Sequence, residues 1–364
     1  MNTEWRYAWS KPTVTGDLKT HVQDFYVEEQ LGFEPDGKGE FCFVFIEKQG
    51  VNTDFLAKRL AQMAGIAPTK VTYSGVKDRH ACTRQWFCLH VLNQEPDLSS
   101  VQEAFREPET VRVIAQLRHS KKLRTGAHLA NRFVIRLRGI NGDLDELEGR
   151  LHLIKQAGVP NYYGPQRFGI NGNNLHNGKD FVLKGRQSRR KLSKAESFWL
   201  SAIRSWCFNE ALSDQVENGM WMRLCDGDIA QFQHKDEQFR VKEVDALMHL
   251  SVVRGSISPV LPMISEGWEA GTGPQREFVM KNSLSEHMDL VDALIAFDLS
   301  RDSRLARLVP MNMAWELLRE NEGNAQLIVE FSLPKGCFAT SILREMIDFT
   351  DKSAEKHHES IDRQ

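Results

Sequence analysis

The chain has 364 residues, 41% of them hydrophobic, and carries 47 Lys and Arg against 49 Asp and Glu for a formal net charge of −2. That length suffices for two or three domains with a sizeable core, and no apolar run approaches the roughly 18 residues of a membrane span. The start, Met1–Arg6, lacks the apolar core of a signal peptide, and the six cysteines are dispersed without a C-x-x-C pair, so a cytoplasmic protein with reduced thiols, no disulfide framework and no membrane partner is expected.

In chain order, Asp17 to Gln30 reads as a strand entering a turn. Glu40 to Ile46 is apolar on both faces, as a buried inner strand requires. A helix follows, with Asn52 or Thr53 able to cap it, Leu56, Leu60 and Met63 at helical spacing, and Gly65 placed to end it. Strands at Val71–Tyr73 and Gln85–Val91 bracket a short loop, and Arg132–Leu137 alternates as a later strand. A second helix has Asp143, Asp145 and Glu146 in its first turn, Leu144, Leu147, Leu151 and Ile154 on one face, and Gly158 as its stop. Turn formers crowd the stretch from Val159 to Asn174 and again from Gly255 to Gly273; strand and helix return from Gln326 to Ile347. The chain thus leaves a first domain and comes back to it. The fold class is α+β on a mixed or antiparallel sheet, and the charged tail 352–364 lacks apolar periodicity and is expected to be disordered.

The near-neutral total conceals an uneven distribution. From Leu117 to Lys194 there are 17 Lys and Arg against 5 Asp and Glu, a local +12 that leaves −14 for the remainder. Two clusters dominate: Arg118, Lys121, Lys122 and Arg124, then Lys184, Arg186, Arg189, Arg190, Lys191 and Lys194. Such clusters suit contacts with the phosphates of a nucleic acid.

The loop after Tyr73 carries the most specific signal, Gly75-Val76-Lys77-Asp78-Arg79-His80-Ala81-Cys82-Thr83-Arg84-Gln85. One carboxylate stands between two cations, Lys77 and Arg79, which favour its ionised, nucleophilic form. If Asp78 is extended, its chain neighbours point to the opposite face, and the cation that tunes it must come from elsewhere.

This string resembles the GxKDxxAxTxQ motif of the D-type tRNA pseudouridine synthases, the tRNA pseudouridine 13 synthase family, at every fixed position. The resemblance implies that Asp78 is the nucleophile. It extends to Lys19, the family's basic residue, to Phe25, its active-site phenylalanine, and to Asn131-Arg132-Phe133, its N-x-F motif. Asn131 and Phe133 share one strand face; the resemblance implies that Phe133 stacks on the target base and that Asn131 positions the backbone or the aspartate loop. Tyr163 to Gly169 matches a further family segment. The implied architecture is a pseudouridine-synthase catalytic domain (1–157 plus 308–351) with a mixed, largely antiparallel sheet, split by an inserted α+β domain (158–307). The implied partner is tRNA, modified at position 13 by a monomeric enzyme, with Lys77, Arg79, Arg118, Lys121, Lys122, Arg124, Arg167, Arg189, Arg190 and Lys191 as RNA contacts.

Converting uridine to its C-glycoside gains and loses no atom, so no cofactor and no metal is expected, in keeping with the lack of a P-loop and of a Rossmann glycine fingerprint. A base inside folded RNA must be extruded, at a few kcal/mol, to be reached. Zinc-dependent deamination is suggested by His80, Cys82, Cys88 and His90, but the H-x-E and P-C-x-x-C pieces are missing. A non-catalytic tRNA-binding or chaperone protein would use the same basic clusters without needing Asp78, and a metal-dependent nuclease would need carboxylate companions that Asp78 lacks nearby in sequence.

Overall fold

Alternating apolar stretches between Thr13 and Leu144 assemble into one sheet, completed by two later returns of the chain. The computed structural model describes residues 1–92, 94–169, 172–185, 192–233, 235–319 and 325–353. Arg186, Arg189, Arg190, Lys191 and the tail from 354 lie outside them. The chain divides into two compact units, each built from three stretches: Thr13–Leu144, Met311–Gly336 and the stretch from Ile347 form the first, and Met1–Pro12, Asp145–Pro310 and Cys337–Met346 form the second.

The first unit holds β1 (Thr15–Leu18), β2 (Phe25–Gln30), β3 (Phe41–Gln49), helix α1 (Thr53–Met63), β4 (Val71–Tyr73), β5 (Cys82–His90), β6 (Thr110–His119) and β7 (Ala130–Asn141). With strands Met311–Arg319, Ala325–Pro334 and Asp348–Asp351 they make a mixed sheet in the order Met311–Arg319, Ala325–Pro334, β7, β2, β5, β3, β6. β2 runs parallel to β5 and β1 parallel to Asp348–Asp351, while the other pairs are antiparallel. β7 is the spine. Its first half pairs with β2, Ala130 opposite Gln30 through Ile135 opposite Phe25, and its second half with β1, Leu137 opposite Leu18. The connection from Lys19 to Asp24 therefore lies against the middle of β7, where Arg138 clamps the Asp24 carboxylate at 2.8 and 2.9 Å.

β3 is the buried inner strand that its two-sided apolarity predicts: Cys42, Phe43, Val44 and Ile46 are all buried between β5 and β6. α1 lays Leu56 and Leu60 on this sheet, and its chain reverses at Gly65, whose φ of +63° is the left-handed conformation expected after a helix end. Its expected side-chain cap does not form. Asn52 makes no capping bond, and the Thr53 hydroxyl is used elsewhere, as described below.

In the second unit, from Asp145 on, lies α2 (Leu144–Ala157), which has Asp145 and Glu146 in its first turn and buries Leu147, Leu151 and Ile154. Gly158 ends it at φ +73°, where a Cβ would fall 2.4 Å from the Leu308 carbonyl, so no other residue fits. The expected insert, 158–307, lies wholly within this unit, which also takes in Met1–Pro12, α2 from Asp145, and the helix Ala339–Met346. Gly255 to Gly273, expected as turns, contains a fully buried strand, Ile257–Pro262, paired on both sides. Its two prolines disguised it: Pro259 spends no donor, while its carbonyl accepts from the Ala306 amide at 2.9 Å.

Tyr163 and Phe168 of the segment Tyr163 to Gly169 belong to the core of this unit. Tyr163 exchanges two hydrogen bonds with the Asn209 amide on helix Lys194–Glu217, and Arg304 lies 4.2 Å over its ring. A fully buried Arg276–Asp228 pair at 2.8 Å ties the helix Pro274–Ser283 to the turn at Cys225, since the Asp228 carboxylate also accepts from the Cys225 and Gly273 amides. Removing one side of such a pair strands the other charge, so Asp228→Ala should destabilise the fold by about 3–5 kcal/mol. Urea denaturation should show this as a lower midpoint; an unchanged midpoint would contradict it.

Candidate active site

The loop between β4 and β5 is fixed before any ligand arrives. The Gln85 side chain donates from Nε2 to the Gly75 carbonyl (3.1 Å) and accepts at Oε1 from the Thr53 hydroxyl (3.0 Å). That same hydroxyl accepts from the Lys77 backbone amide (3.1 Å). The start of α1 and the inward face of β5 thus grip the loop from two sides. Beyond Asp78, Arg79 closes a two-way clasp on Gly50, its carbonyl accepting from the Gly50 amide and its Nε donating to the Gly50 carbonyl.

Asp78 meets Lys19 across this loop, Oδ2 to Nζ at 2.6 Å, with the lysine side chain 6% and the aspartate side chain 20% exposed. Lys19 sits just past β1 with φ +57°, a strained conformation for a side-chain-bearing residue that is held by the clamped connection behind it. Oδ1 of Asp78 accepts from the His80 amide at 2.9 Å. Burial pushes the Asp78 carboxyl upward, but the Lys19 charge and hydrogen bond and the His80 amide outweigh it, so the group lies below the ordinary carboxylate value and is ionised at neutral pH. The cation that tunes Asp78 therefore comes from a distant strand end, not from its chain neighbours. A second buried lysine, Lys48, donates to the Val51 carbonyl at 2.9 Å and approaches the Asp78 carbonyl at 3.5 Å; burial pushes its ammonium down to about 8.

Lys19 also lies 4.8 Å over the Phe25 ring. Phe25 meets Phe133 edge-on at 6.2 Å, and Phe133 meets Phe331 at 5.5 Å, so these three rings run in a row across β2, β7 and the strand Ala325–Pro334. Asn131 shares the face of Phe133, opposite Glu29 as Phe133 is opposite Val27. Its side-chain nitrogen contacts His128 Nε2 at 3.2 Å. Lys19, Phe25, Asp78, Asn131 and Phe133 are thus brought onto one region of one unit.

Lys77, expected among the RNA contacts, is placed otherwise. It is buried and paired at 2.7 Å with Glu29, whose side chain is fully buried and whose other oxygen accepts from the Trp86 amide. The alternation that puts Asp78 on one side turns Lys77 inward, where it anchors the loop to β2. Arg118 also spends its guanidinium internally, on the Leu92 and Gln94 carbonyls. Arg167, in the second unit, is partly buried over Tyr163 and donates to Ser201. Lys121, Lys122, Arg124 and Arg79 are exposed. The first three ride on the connection between β6 and β7, which is stapled to β4 through Thr72 to the Leu123 carbonyl (2.8 Å) and through the Gly126 amide to the Ser74 carbonyl (2.7 Å). Cys82 and Cys88, weighed as metal ligands, are buried and free, and burial pushes both thiols up. Glu29, Lys48 and His128 had drawn no attention in the sequence. Only Glu29 left a trace there, as a carboxylate in phase with the inward residues Phe25 and Val27.

A mostly buried, lysine-held carboxylate on a loop of a mixed sheet, beside a row of aromatic rings, has the makings of a site for a nucleophile and a planar substrate. Comparison with known proteins gives the family of the chain. The family model for tRNA pseudouridine synthase D (TruD) matches residues 2–189 and 186–346. The tRNA pseudouridine synthase D of Aeromonas hydrophila is 39% identical over 349 residues, 95% of each chain, and that of Pseudomonas entomophila is 36% identical over 93% of this chain and 94% of its own. A solved structure from Methanosarcina mazei assigned to tRNA pseudouridine synthase D shares the fold, with a TM-score of 0.67 at 18% identity over 94% of this chain and 95% of its own. The chain belongs to the tRNA pseudouridine synthase D family.

The buried Lys77–Glu29 pair yields a direct test. Glu29→Gln should destabilise the protein by about 3–5 kcal/mol by leaving the lysine charge unpaired, and adding Lys77→Met should restore much of that loss. Because Lys77 faces inward, the double variant should keep the salt dependence of tRNA binding. A flatter log–log slope would instead count Lys77 among the phosphate contacts.

Proposed function

We propose that this isomerase, which as a member of its family forms pseudouridine in tRNA, does so at position 13 with Asp78 as the nucleophile on an extruded uridine. The observation that carries the reading is the Lys19–Asp78 pair: a mostly buried carboxylate kept ionised by one buried cation and one backbone amide. Burial removes competing water, and the two partners leave carboxylate lone pairs free to attack. Lys19 acts twice in this scheme, holding the charge on Asp78 and lying over Phe25 at the near end of the aromatic row. Phe133 offers the ring against which the turned-out uracil stacks, worth roughly 1–3 kcal/mol per base. Asn131, on the same strand face, addresses the same nucleotide.

The exposed cations Lys121, Lys122 and Arg124 hold the phosphate backbone beside the loop, since their own connection is stapled to Ser74, four residues before Asp78. Arg79 adds to these contacts in the same unit, and Arg167, in the second unit, and Arg189, Arg190 and Lys191, outside the described residues, are further RNA contacts proposed from the sequence alone. The division of labour is a catalytic domain on the sheet and an inserted domain that enlarges the contact with tRNA. The enzyme is monomeric and cytoplasmic in this scheme.

Asp78→Asn keeps the volume and removes the charge. It should abolish pseudouridine formation at position 13, read by carbodiimide-blocked primer extension, while tRNA binding stays within a few-fold of the parent. Retained turnover would sink the assignment, and a chaperone would show no change at all.

Lys19→Met tests the electrostatics separately. With the lysine gone, burial dominates and the Asp78 carboxyl rises, so the acid limb of the single-turnover rate should move to higher pH. An unmoved limb would mean that Lys19 does not set the charge of Asp78.

A further inference from the structure

Behind Asn131 lies a polar chain that the reaction as described does not use. His128 is 7% exposed and sits between two partners: Ser74 Oγ lies 2.6 Å from Nδ1, and the Asn131 side-chain nitrogen lies 3.2 Å from Nε2. The Ser74 hydroxyl oxygen also accepts from the His128 backbone amide at 2.9 Å. The Asn131 NH₂ group can only donate, so Nε2 must accept, and a neutral ring then carries its proton on Nδ1 and donates it to Ser74. In this arrangement the nitrogen of the Asn131 amide faces the histidine. Its carbonyl oxygen is left buried without a hydrogen-bond partner among the described residues, on the strand face it shares with Phe133.

An unpartnered buried acceptor costs stability unless something donates to it. We propose that His128, held as the Nδ1–H tautomer by Ser74, is a positioning residue that locks the Asn131 amide so that Oδ1 accepts a hydrogen bond from the target nucleotide. The donors a uridine offers are the base N3–H and the ribose 2′-OH. Cytosine has a lone pair at N3, so an acceptor aimed at N3–H would also reject cytidine. The inference rests on the reading of Asp78 and Asn131 given above.

The surroundings keep the ring neutral. Burial pushes His128 down to about 4, helped by the charges of Lys77 and Lys335, and no carboxylate is among the groups that set its shift. Protonation would replace the acceptor at Nε2 by a donor, turn the amide round, and present NH₂ to the substrate instead. Ser74 directly precedes Gly75, and His128 Cε1 lies 3.7 Å from where a Cβ on Gly75 would stand, so the histidine also backs the start of the aspartate loop. Positioning Asn131 and supporting the loop therefore make different demands on a replacement side chain.

Two substitutions separate them. His128→Asn can keep a donor for Ser74 but is too short to offer an acceptor to Asn131, whereas His128→Gln places an amide oxygen near the former Nε2. At saturating tRNA, His128→Asn should slow single-turnover pseudouridine formation by about tenfold or more, and His128→Gln should recover most of that loss, with similar melting temperatures and tRNA affinities for both. Equal losses in the two variants, or none in either, would overturn the proposal. Transcripts with N3-methyluridine or 2′-deoxyuridine at the target locate the donor: one of them should be penalised less by His128→Asn than by the parent, and no such coupling to either would also overturn it.

The unmodified protein supplies a measurement independent of folding in the variants. Its imidazole ¹⁵N shifts should show His128 neutral and protonated on Nδ1 between pH 5.5 and 8, and a proton on Nε2 or a titration in that range would refute the lock. An inactive parent, or an active Asp78→Asn, would instead count against the functional reading on which the lock depends.

Discussion

The contact between Lys19 and Asp78 is the constraint around which the first unit is arranged. A carboxylate with one fifth of its side chain exposed carries a desolvation penalty that must be offset by a cation and by directed hydrogen bonds. Lys19 can serve only because β1 ends where it does. β7 is long enough to pair with β2 along one half and with β1 along the other, and Arg138 on β7 holds Asp24, the last residue of the turn between them. The positive φ of Lys19 is the local strain that this arrangement sustains. A second offset comes from the loop itself, because the amide of His80 caps the other carboxylate oxygen. Charge and geometry at Asp78 thus depend on elements separated by 59 residues in sequence.

The same unit buries cations at unusual density around one carboxylate. Lys19, Lys48 and Lys77 all lie within the protein, and each finds a different compensation: Asp78 for the first, backbone carbonyls for the second, Glu29 for the third. Buried pairs of this kind contribute little net stability compared with apolar packing, but each fixes a direction. Lys77 and Glu29 lock the loop to β2, the Thr53 hydroxyl and Gln85 lock it to α1 and β5, and the Gly50 clasp closes its far end. In the role proposed for Asp78, such prior fixing avoids reorganisation at the moment of reaction.

Much of this was legible in the sequence where a single rule governed the outcome. The two-sided apolarity of Glu40 to Ile46 required burial on both faces, and the spacing of Leu147, Leu151 and Ile154 with Gly158 after them required a helix with that stop. Asn131 and Phe133 had to share a face because strands alternate. Fixed motifs drew attention to Asp78, Lys19 and Phe25 as candidates. What escaped was set by tertiary partners. Nothing local distinguishes a serine before a loop, a lone histidine on a connection, or a lysine on an inner strand, until folding brings Ser74, His128 and Lys48 to their neighbours. Thr53 was misread for the same reason, since capping competes with any closer partner and the loop supplied one. The strand Ile257–Pro262 was missed because proline usually marks a turn, although a residue whose amide needs no partner can sit in a pairing that uses its carbonyl alone.

Counting charge along the chain overstates how much of it faces a polyanion. The surplus between Leu117 and Lys194 includes Arg118, whose guanidinium is occupied by two carbonyls of its own unit, Arg132, which pairs with Glu330, Arg138, which holds Asp24, and Arg150, which is buried on α2 against Glu146. These cations stabilise the fold and its positioning contacts, and their fields are largely cancelled at short range. Within the first unit, the exposed cations of that stretch are Lys121, Lys122 and Arg124, all on one connection, and that connection is bonded to the residue before the Gly75 to Gln85 motif. Within this unit, exposed cations sit on a segment bonded to the aspartate loop while Arg118, Arg132 and Arg138 are spent on internal partners, so the local distribution of charge, and not the near-neutral total, decides what a polyanion would meet there.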